Sequence, residues 1–351
     1  MDDASLLGAS CPLPITNYKE IVLAHGSGGK LSHQLIEKIV LPQFRNELLE
    51  PLHDGAIFSL NGERLAFSTD SFVVSPIFFP GGDIGKLAVH GTVNDLAMCG
   101  ARPLYLSASF ILEEGLPMED FWRVVQSMRA AANAAGVKLV TGDTKVVDRG
   151  KADRIFINTS GIGIIPEGVV IHPTRARLGD KIIVSGPIAV HGIAIMSVRE
   201  GLEFETEIAS DSAPLHELVG ALIAAKIDVH VLRDPTRGGV TSALTEIAHT
   251  ANVGMLLDES LIPINEEVKG ACEILGLDPL YVANEGKLLA IVQNEDVDAA
   301  LTALRSHLLG KEAAVIGEVV DEHPEFVMMK TRVGGTRVVD MLSGEQLPRI
   351  C

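Results

Sequence analysis

The chain has 351 residues, room for two ordinary domains, and a formal net charge of −17. Apolar residues make up 47% of it and charged residues 21%, which excludes a disordered chain. The carboxylate excess repels phosphate backbones and argues against a nucleic-acid partner, while it suits bound divalent cations. Aromatic residues are only 4%, and Ala, Val, Ile, Leu and Gly dominate, as in α/β layers. Cys11, Cys99, Cys272 and Cys351 are far apart and without CxxC spacing, so neither a zinc knuckle nor a disulfide framework is indicated. The start has no basic segment followed by an apolar core, and the most apolar stretch, Ile182 to Val198, is interrupted by Gly186, Pro187, His191 and Gly192. The expectation is a cytoplasmic protein with no leader and no membrane span.

The first 50 residues are an irregular lead that ends in a glycine-rich turn, HGSGGK (His25 to Lys30), opening a helix. Leu31, Leu35, Ile36, Ile39 and Val40 give that helix one apolar face. Strand-like runs follow at 65–70 and 104–112, with a helix between them from Ile84 to Met98 that stops at Gly100. Phe121, Val124, Val125, Met128 and Ala132 share a face of the next helix, and Gly136 is placed to end it. Residues 137–144 and 154–165 then read as buried strands. The segment 166–180 has two prolines and little periodicity, so a first domain over 51–166 and a second over 175–330 are expected. The second domain opens with a strand at 181–186. Helices follow at Leu215–Ile223 and Val240–Ala248, and strands at 253–258, 288–293 and 313–320. The stretch 331–351 has weak strand character, and its last eight residues read as a mobile tail.

Five aspartates stand at strand ends or in turns: Asp54, Asp70, Asp95 (after Asn94), Asp143 and Asp234. One Asp in a turn is ordinarily an Asx-turn or a helix cap. Five of them suggest a Mg²⁺ site, because that ion takes hard oxygen ligands together with phosphate oxygens and water. Ligands of open α/β sheets also bind at strand ends. HGSGGKLS is not a Walker A loop, having Ala24 where that pattern needs Gly and Leu31 where it needs Ser or Thr. A glycine turn opening a helix can still present N–H groups to an anion, with Lys30 adding charge; a plain flexible turn is equally consistent. The chain given ends PRIC, with Cys351 last. Arg349 would favour its thiolate and a terminal carboxylate would oppose it; thiolate is the form that accepts acyl groups. A partner-binding peptide or a chance residue is the competing reading.

HGSGGK, TDSFVVSP, VNDLAMCGARP, GDTKVV, RDPTRGG, NEGKLL and the final PRIC occur in this order along essentially the whole chain. In this the sequence resembles the HypE family of hydrogenase maturation factors. Its Asp-rich motifs are shared with the superfamily of aminoimidazole ribonucleotide synthetase, thiamine-monophosphate kinase and selenophosphate synthetase. The resemblance implies a two-domain α/β subunit whose N-terminal domains pair in a homodimer, with ATP and Mg²⁺ in the clefts. It implies that Asp54, Asp70, Asp95, Asp143 and Asp234 hold Mg²⁺ and phosphates. The loop Gly26, Ser27, Gly28, Gly29 and Lys30 would cover them and Asn94 would support the site. It further implies that HypF carbamoylates Cys351, that ATP-dependent dehydration turns the group into a thiocyanate, and that the HypC–HypD complex receives the cyano group. Glu285 in NEGK is the expected base, with Lys145 in GDTK orienting it or the carbamoyl oxygen; an ordinary ion pair is the alternative for both. Two other functions compete: a small-molecule kinase or synthetase that ignores the tail, and a non-catalytic carrier.

Overall fold

The computed structural model describes residues 17–202, 207–342, 344 and 349–351; Cys11 lies outside them. After a 3₁₀ turn at Leu23–Gly26, α1 (Lys30–Leu35) passes through a π-helical turn (Ile36–Val40) into α2 (Leu41–Phe44). The first domain follows: β1 (Ala56–Leu60), β2 (Glu63–Phe72), β3 (Phe78–Phe79), β4 (Gly82–Asp83), α3 (Ile84–Met98), β5 (Arg102–Glu113), α4 (Met118–Ala134), β6 (Lys138–Val147) and β7 (Ile155–Ile165). The second domain begins with β8 (Lys181–Val184), α5 (Val190–Glu200), α6 (His216–Ala224), β9 (Val229–Arg233), α7 (Gly239–Ala251) and β10 (Gly254–Asp258). It continues with α8 (Glu266–Leu275), β11 (Leu289–Val292), α9 (Val297–Arg305), β12 (Ala314–Val320), β13 (Val327–Lys330) and β14 (Thr336–Val339).

The first domain is a sheet of order β1-β2-β7-β5-β6, antiparallel except for the parallel pair β5–β6. The second is a seven-stranded sheet, β14-β13-β10-β12-β8-β11-β9, with only β10–β13 parallel. Strand β7, between β2 and β5, alternates buried and half-buried residues along its length, the period-2 signature of a sheet covered on one face. The cover is α3, whose apolar sequence is buried almost all round because the second domain packs on its far side. Asp83 caps it, accepting from the N–H groups of Gly85 (2.7 Å) and Lys86 (3.1 Å). Gly91 lets α3 approach β2: a Cβ there would lie 2.7 Å from the Phe72 ring. The domains share their cores, since Ala97 and Met98 of α3 pack with second-domain residues, and Ile195, Ala283 and Ile350 pack with the first.

Three expectations need correction. The segment 137–144 does form a strand, β6, but it is exposed along nearly all its length, as an edge strand paired only with β5. The opening helix has no single buried face: the π turn breaks its 3.6-residue period, and Ile36 and Val40 stay exposed. Past residue 330 the weak strand character becomes β14, which joins the second sheet; of the last eight residues only 344 and 349–351 are described, and there the end is docked, with Ile350 only 3% exposed.

Candidate active site

Four separate segments deliver the carboxylates. Asp54 lies just before β1, Asp70 near the end of β2, Asp95 in the last turn of α3, and Asp234 directly after β9. Oxygens of Asp54, Asp95 and Asp234 lie within 4.8 Å of one another. An acid in the last turn of a helix faces the negative end of the helix dipole, so Asp95 breaks a local rule for the sake of the cluster. Arg233 Nη1 donates to Asp54 Oδ1 (2.7 Å), and its other arm reaches Glu246. The second oxygen, Asp54 Oδ2, is buried with no hydrogen-bond partner. Ser68 Oγ donates to Asp95 Oδ2 (2.7 Å).

Burial, then repulsion by Asp234, Asp70 and Asp54, raises the Asp95 carboxyl well above the ordinary range. Burial, then Asp54, pushes Asp234 up to about 8. Burial also raises Asp70, with Arg237 opposing it. Clustered acids with an orphaned buried oxygen are short of a cation, and an all-oxygen donor set fits Mg²⁺. Asp54, Asp95 and Asp234 are the residues that would hold it, with Asp70 beside them.

Glu285 and the chain end flank this cluster. Glu285 is buried, its Oε1 lacks a partner, and its N–H donates to Asp211 Oδ1 (3.2 Å). Burial first, then Asp234, Asp70 and Asp211, raises its pKa well above the ordinary range. The half-buried Cys351 thiol lies within the electrostatic reach of Glu285 and Arg237. Burial and the Glu285 charge push this thiol up, and Arg237 opposes them. The backbone is pinned at successive residues: Val73 N–H donates to Cys351 O (2.9 Å), His191 holds Ile350 O (2.8 Å), and Ser75 N–H (3.2 Å) and Arg199 donate to Arg349 O.

The glycine loop closes over a narrow cleft lined by Ser27, Gly29, Arg237, Gly238, Tyr281 and Ile350. Gly28 has φ +75°, and a Cβ on it would lie 2.8 Å from Arg237; Gly28 O accepts from Ser242 Oγ of α7 (2.9 Å). Arg237 donates to Gly26 O (3.2 Å), so one guanidinium ties the loop to Asp70, Glu285 and Cys351.

The chain therefore gathers Asp54, Asp70, Asp95, Asp234, Glu285 and Cys351, with Gly26, Ser27, Gly28 and Gly29 at the rim. Other expected residues stand elsewhere. Lys30 is paired with Asp340 Oδ2 (2.6 Å), which turns its charge away from the cluster. Asn94 stands behind the site: its amide donates to Ala213 O (3.1 Å) and Glu285 O (3.4 Å) and accepts from Leu215 N–H (2.8 Å), bracing the loop that carries Glu285. Asp143 and Lys145 form an exposed pair (2.5 Å) on β6. The register Asp70–Thr159–Ala108–Gly142 puts that pair three strands from Asp70, about 14 Å away within one chain. Arg349 pairs with Asp153, so the cation beside the thiol is Arg237. His53 is beside Asp54, and buried His90 meets Ser212 Oγ (3.1 Å). His25 bonds its own turn, and Cys99 and Cys272 are buried, as their apolar settings imply. Arg233, Arg237 and Lys287 were missed although they stand inside RDPTRGG and NEGK; the signal was a cation beside each acid of a motif. Asp211, which pairs with Lys287 (3.2 Å), and His191 carry no local signal.

Residues 52–165 match the family described as AIR synthase related protein, N-terminal domain, and residues 177–330 match its C-terminal domain. The chain is 56% identical over 346 residues to carbamoyl dehydratase HypE of Cupriavidus necator, covering 98% of each chain. A solved structure of HypE in complex with ATP aligns with a TM-score of 0.80 at 51% identity, over 95% of this chain and 100% of that one. A HypE–HypF complex aligns with a TM-score of 0.83 at 49% identity, over 88% and 99%.

Proposed function

The chain belongs to the HypE family of carbamoyl dehydratases within the AIR synthase related proteins, and from that premise we propose how its own residues do the chemistry. The substrate is an S-carbamoyl group on Cys351. The observation that carries this reading is the docked chain end, with Val73 N–H on Cys351 O (2.9 Å), His191 on Ile350 O (2.8 Å) and Ile350 buried, which brings the thiol under the charges of Glu285 and Arg237.

A thiocarbamate, Cys–S–C(=O)–NH₂, becomes Cys–S–C≡N by losing its oxygen and both nitrogen protons. ATP supplies the phosphoryl group that lets the oxygen leave as phosphate, and Mg²⁺ neutralises the phosphate charge. Arg237 holds the loop over the cleft and offsets negative charge near the sulfur. Glu285, the carboxyl whose charge acts on the thiol, takes a nitrogen proton. Its pKa is held up partly by Asp234 and Asp70, so neutralising those two acids lowers it.

The remaining partners follow the family. HypF delivers the carbamoyl group and the HypC–HypD complex receives the cyano group for the iron of [NiFe] hydrogenase, in the cytoplasm. Two copies pair through the first-domain sheet, whose β6 edge exposes Leu139, Val140 and Val146 beside Asp143 and Lys145. In that homodimer Lys145 and Asp143 act from the interface and not from the single-chain cluster. Among the described residues no helix is long and apolar enough to cross a membrane.

Intact-mass analysis of the Cys351 peptide after cyanate treatment tests the reading. Mg·ATP should remove one water from the carbamoylated peptide, with one ADP released per event. Persistence of the carbamoyl group, with equal ATP turnover by Cys351→Ala, would leave a small-molecule kinase in its place.

A further inference from the structure

The Ile350 carbonyl is buried, and it faces Nε2 of His191 at 2.8 Å. A carbonyl oxygen only accepts, so Nε2 carries the hydrogen. The ring is fully buried, and burial lowers its pKa, so it is neutral and Nδ1 is an acceptor. Ser210 Oγ, 2.7 Å away, donates to Nδ1 and in turn accepts from Ser212 N–H at 3.1 Å. Every donor and acceptor is matched in one tautomer. Phe79 packs edge-on against the ring, with centroids 5.7 Å apart, and prevents it from turning.

The platform under His191 is also the platform under Glu285. Gly192 N–H donates to Ala283 O (3.0 Å), and Ala189 N–H donates to the Asn284 side chain (2.7 Å). The first turn of α5 is therefore tied to the two residues that precede Glu285. Whatever His191 grips is held in register with the carboxyl group.

We infer that His191 is the positioning residue that seats Cys351 at Glu285, gripping the Ile350 carbonyl through Nε2–H in a tautomer fixed by Ser210. It touches neither the sulfur nor the carboxyl group. The inference rests on the reading of Cys351 as the carrier of the substrate, but its primary test does not involve turnover.

That test is the rate at which Cys351 reacts with 5,5′-dithiobis(2-nitrobenzoic acid) in a Cys11→Ser background, Cys99 and Cys272 being buried. His191→Leu keeps the bulk and loses the donor, and should raise the rate about tenfold, the worth of one net hydrogen bond. His191→Gln places an amide N–H near the Nε2 position and should stay within about twofold of the parent. Ser210→Ala should fall between them. With carbamoylated protein, His191→Leu should lower kcat and leave the KM for ATP unchanged, and His191→Gln should restore kcat. Equal thiol reactivity of His191→Leu and the parent, or a His191→Gln variant as impaired as His191→Leu, overturns the assignment. If His191→Leu does not fold, ¹⁵N-histidine NMR decides on the parent: the Nε2–H tautomer should be present, and its signal should move when residues 349–351 are deleted. A different tautomer or an unmoved signal refutes the grip. Loss of the grip's signatures with dehydration intact condemns the latch alone; an intact latch with no dehydration condemns the functional reading alone.

Discussion

Replacing Asp234 by Asn should stabilise the protein without metal and remove most of the stabilisation that metal provides. The Asp234 carboxyl sits at about 8 in the fold against an ordinary value of 3.8, so folding at pH 7 forces a proton onto a group that is ionised when the chain unfolds. Roughly three units separate pH 7 from the ordinary value, and at about 1.4 kcal/mol per unit the ceiling is about 4 kcal/mol. The cluster shares this repulsion and water relieves part of it, so about half, near 2 kcal/mol, is the working figure. In a chain of this length that corresponds to a rise of about 3 °C in Tm in EDTA. The sign follows from the raised pKa: the Asp234 contribution is fully present below the ordinary value of 3.8 and is lost as pH rises through about 8. Metal-free wild type should therefore weaken between pH 5 and 8.5 more steeply than Asp234→Asn. Saturating Mg²⁺ at about 100 times its Kd should return about 2.7 kcal/mol to the wild type and much less to the variant, so the order of stability reverses. Differential scanning fluorimetry at pH 7 and 8.5, in EDTA and in Mg²⁺, reads the stability of both proteins under each condition. A variant less stable than wild type in EDTA, or equally stabilised by Mg²⁺, would refute the metal-site reasoning.

Glu285→Gln preserves shape and removes the proposed base, so dehydration of the carbamoylated peptide should fall by about 10²–10⁴. Calorimetry should find ATP binding unchanged, and its loss would make Glu285 a ligand instead. Gly28→Ala puts a Cβ at φ +75° and 2.8 Å from Arg237, displacing the loop; the KM for ATP should rise about tenfold with Tm nearly constant. An unchanged KM would separate the loop from the nucleotide. Val140→Asp puts a charge on the exposed β6 edge, and analytical ultracentrifugation should find a dimer converted to monomers. A dimer that persists would place the interface elsewhere.

The sequence displayed much of the architecture because its elements obey simple rules. The helix Ile84–Met98 carries its own cap and stop, and the Phe121–Ala132 face has a 3.6-residue period. It concealed features that depend on distant partners. Strand β6 reads as an apolar strand because it is one; that its faces are open follows only from its place at the sheet edge. Lys30 looked free beside its glycines, yet Asp340 lies opposite it. Asp54, Asp70, Asp95 and Asp234 stood out by kind and position, and Asp143 stood out equally, since nothing local records three strands of separation. Arg237 was hidden by its motif, because a guanidinium directly before a glycine pair and a helix does not reveal that its charge will act on a sulfur 114 positions later.

The seating of Cys351 also bears on how the thiol survives between reaction cycles. Peroxide and electrophiles attack thiolate, and here burial and the neighbouring carboxyl keep sulfur in the inert protonated form. The pocket proposed for the dehydration would thus double as a shelter against oxidation. An empty carrier resting in it should escape conversion to sulfenic and sulfinic acid, while one caught with its end outside should not. Durability in air would then be set by the fraction of time that Ile350 spends in the core.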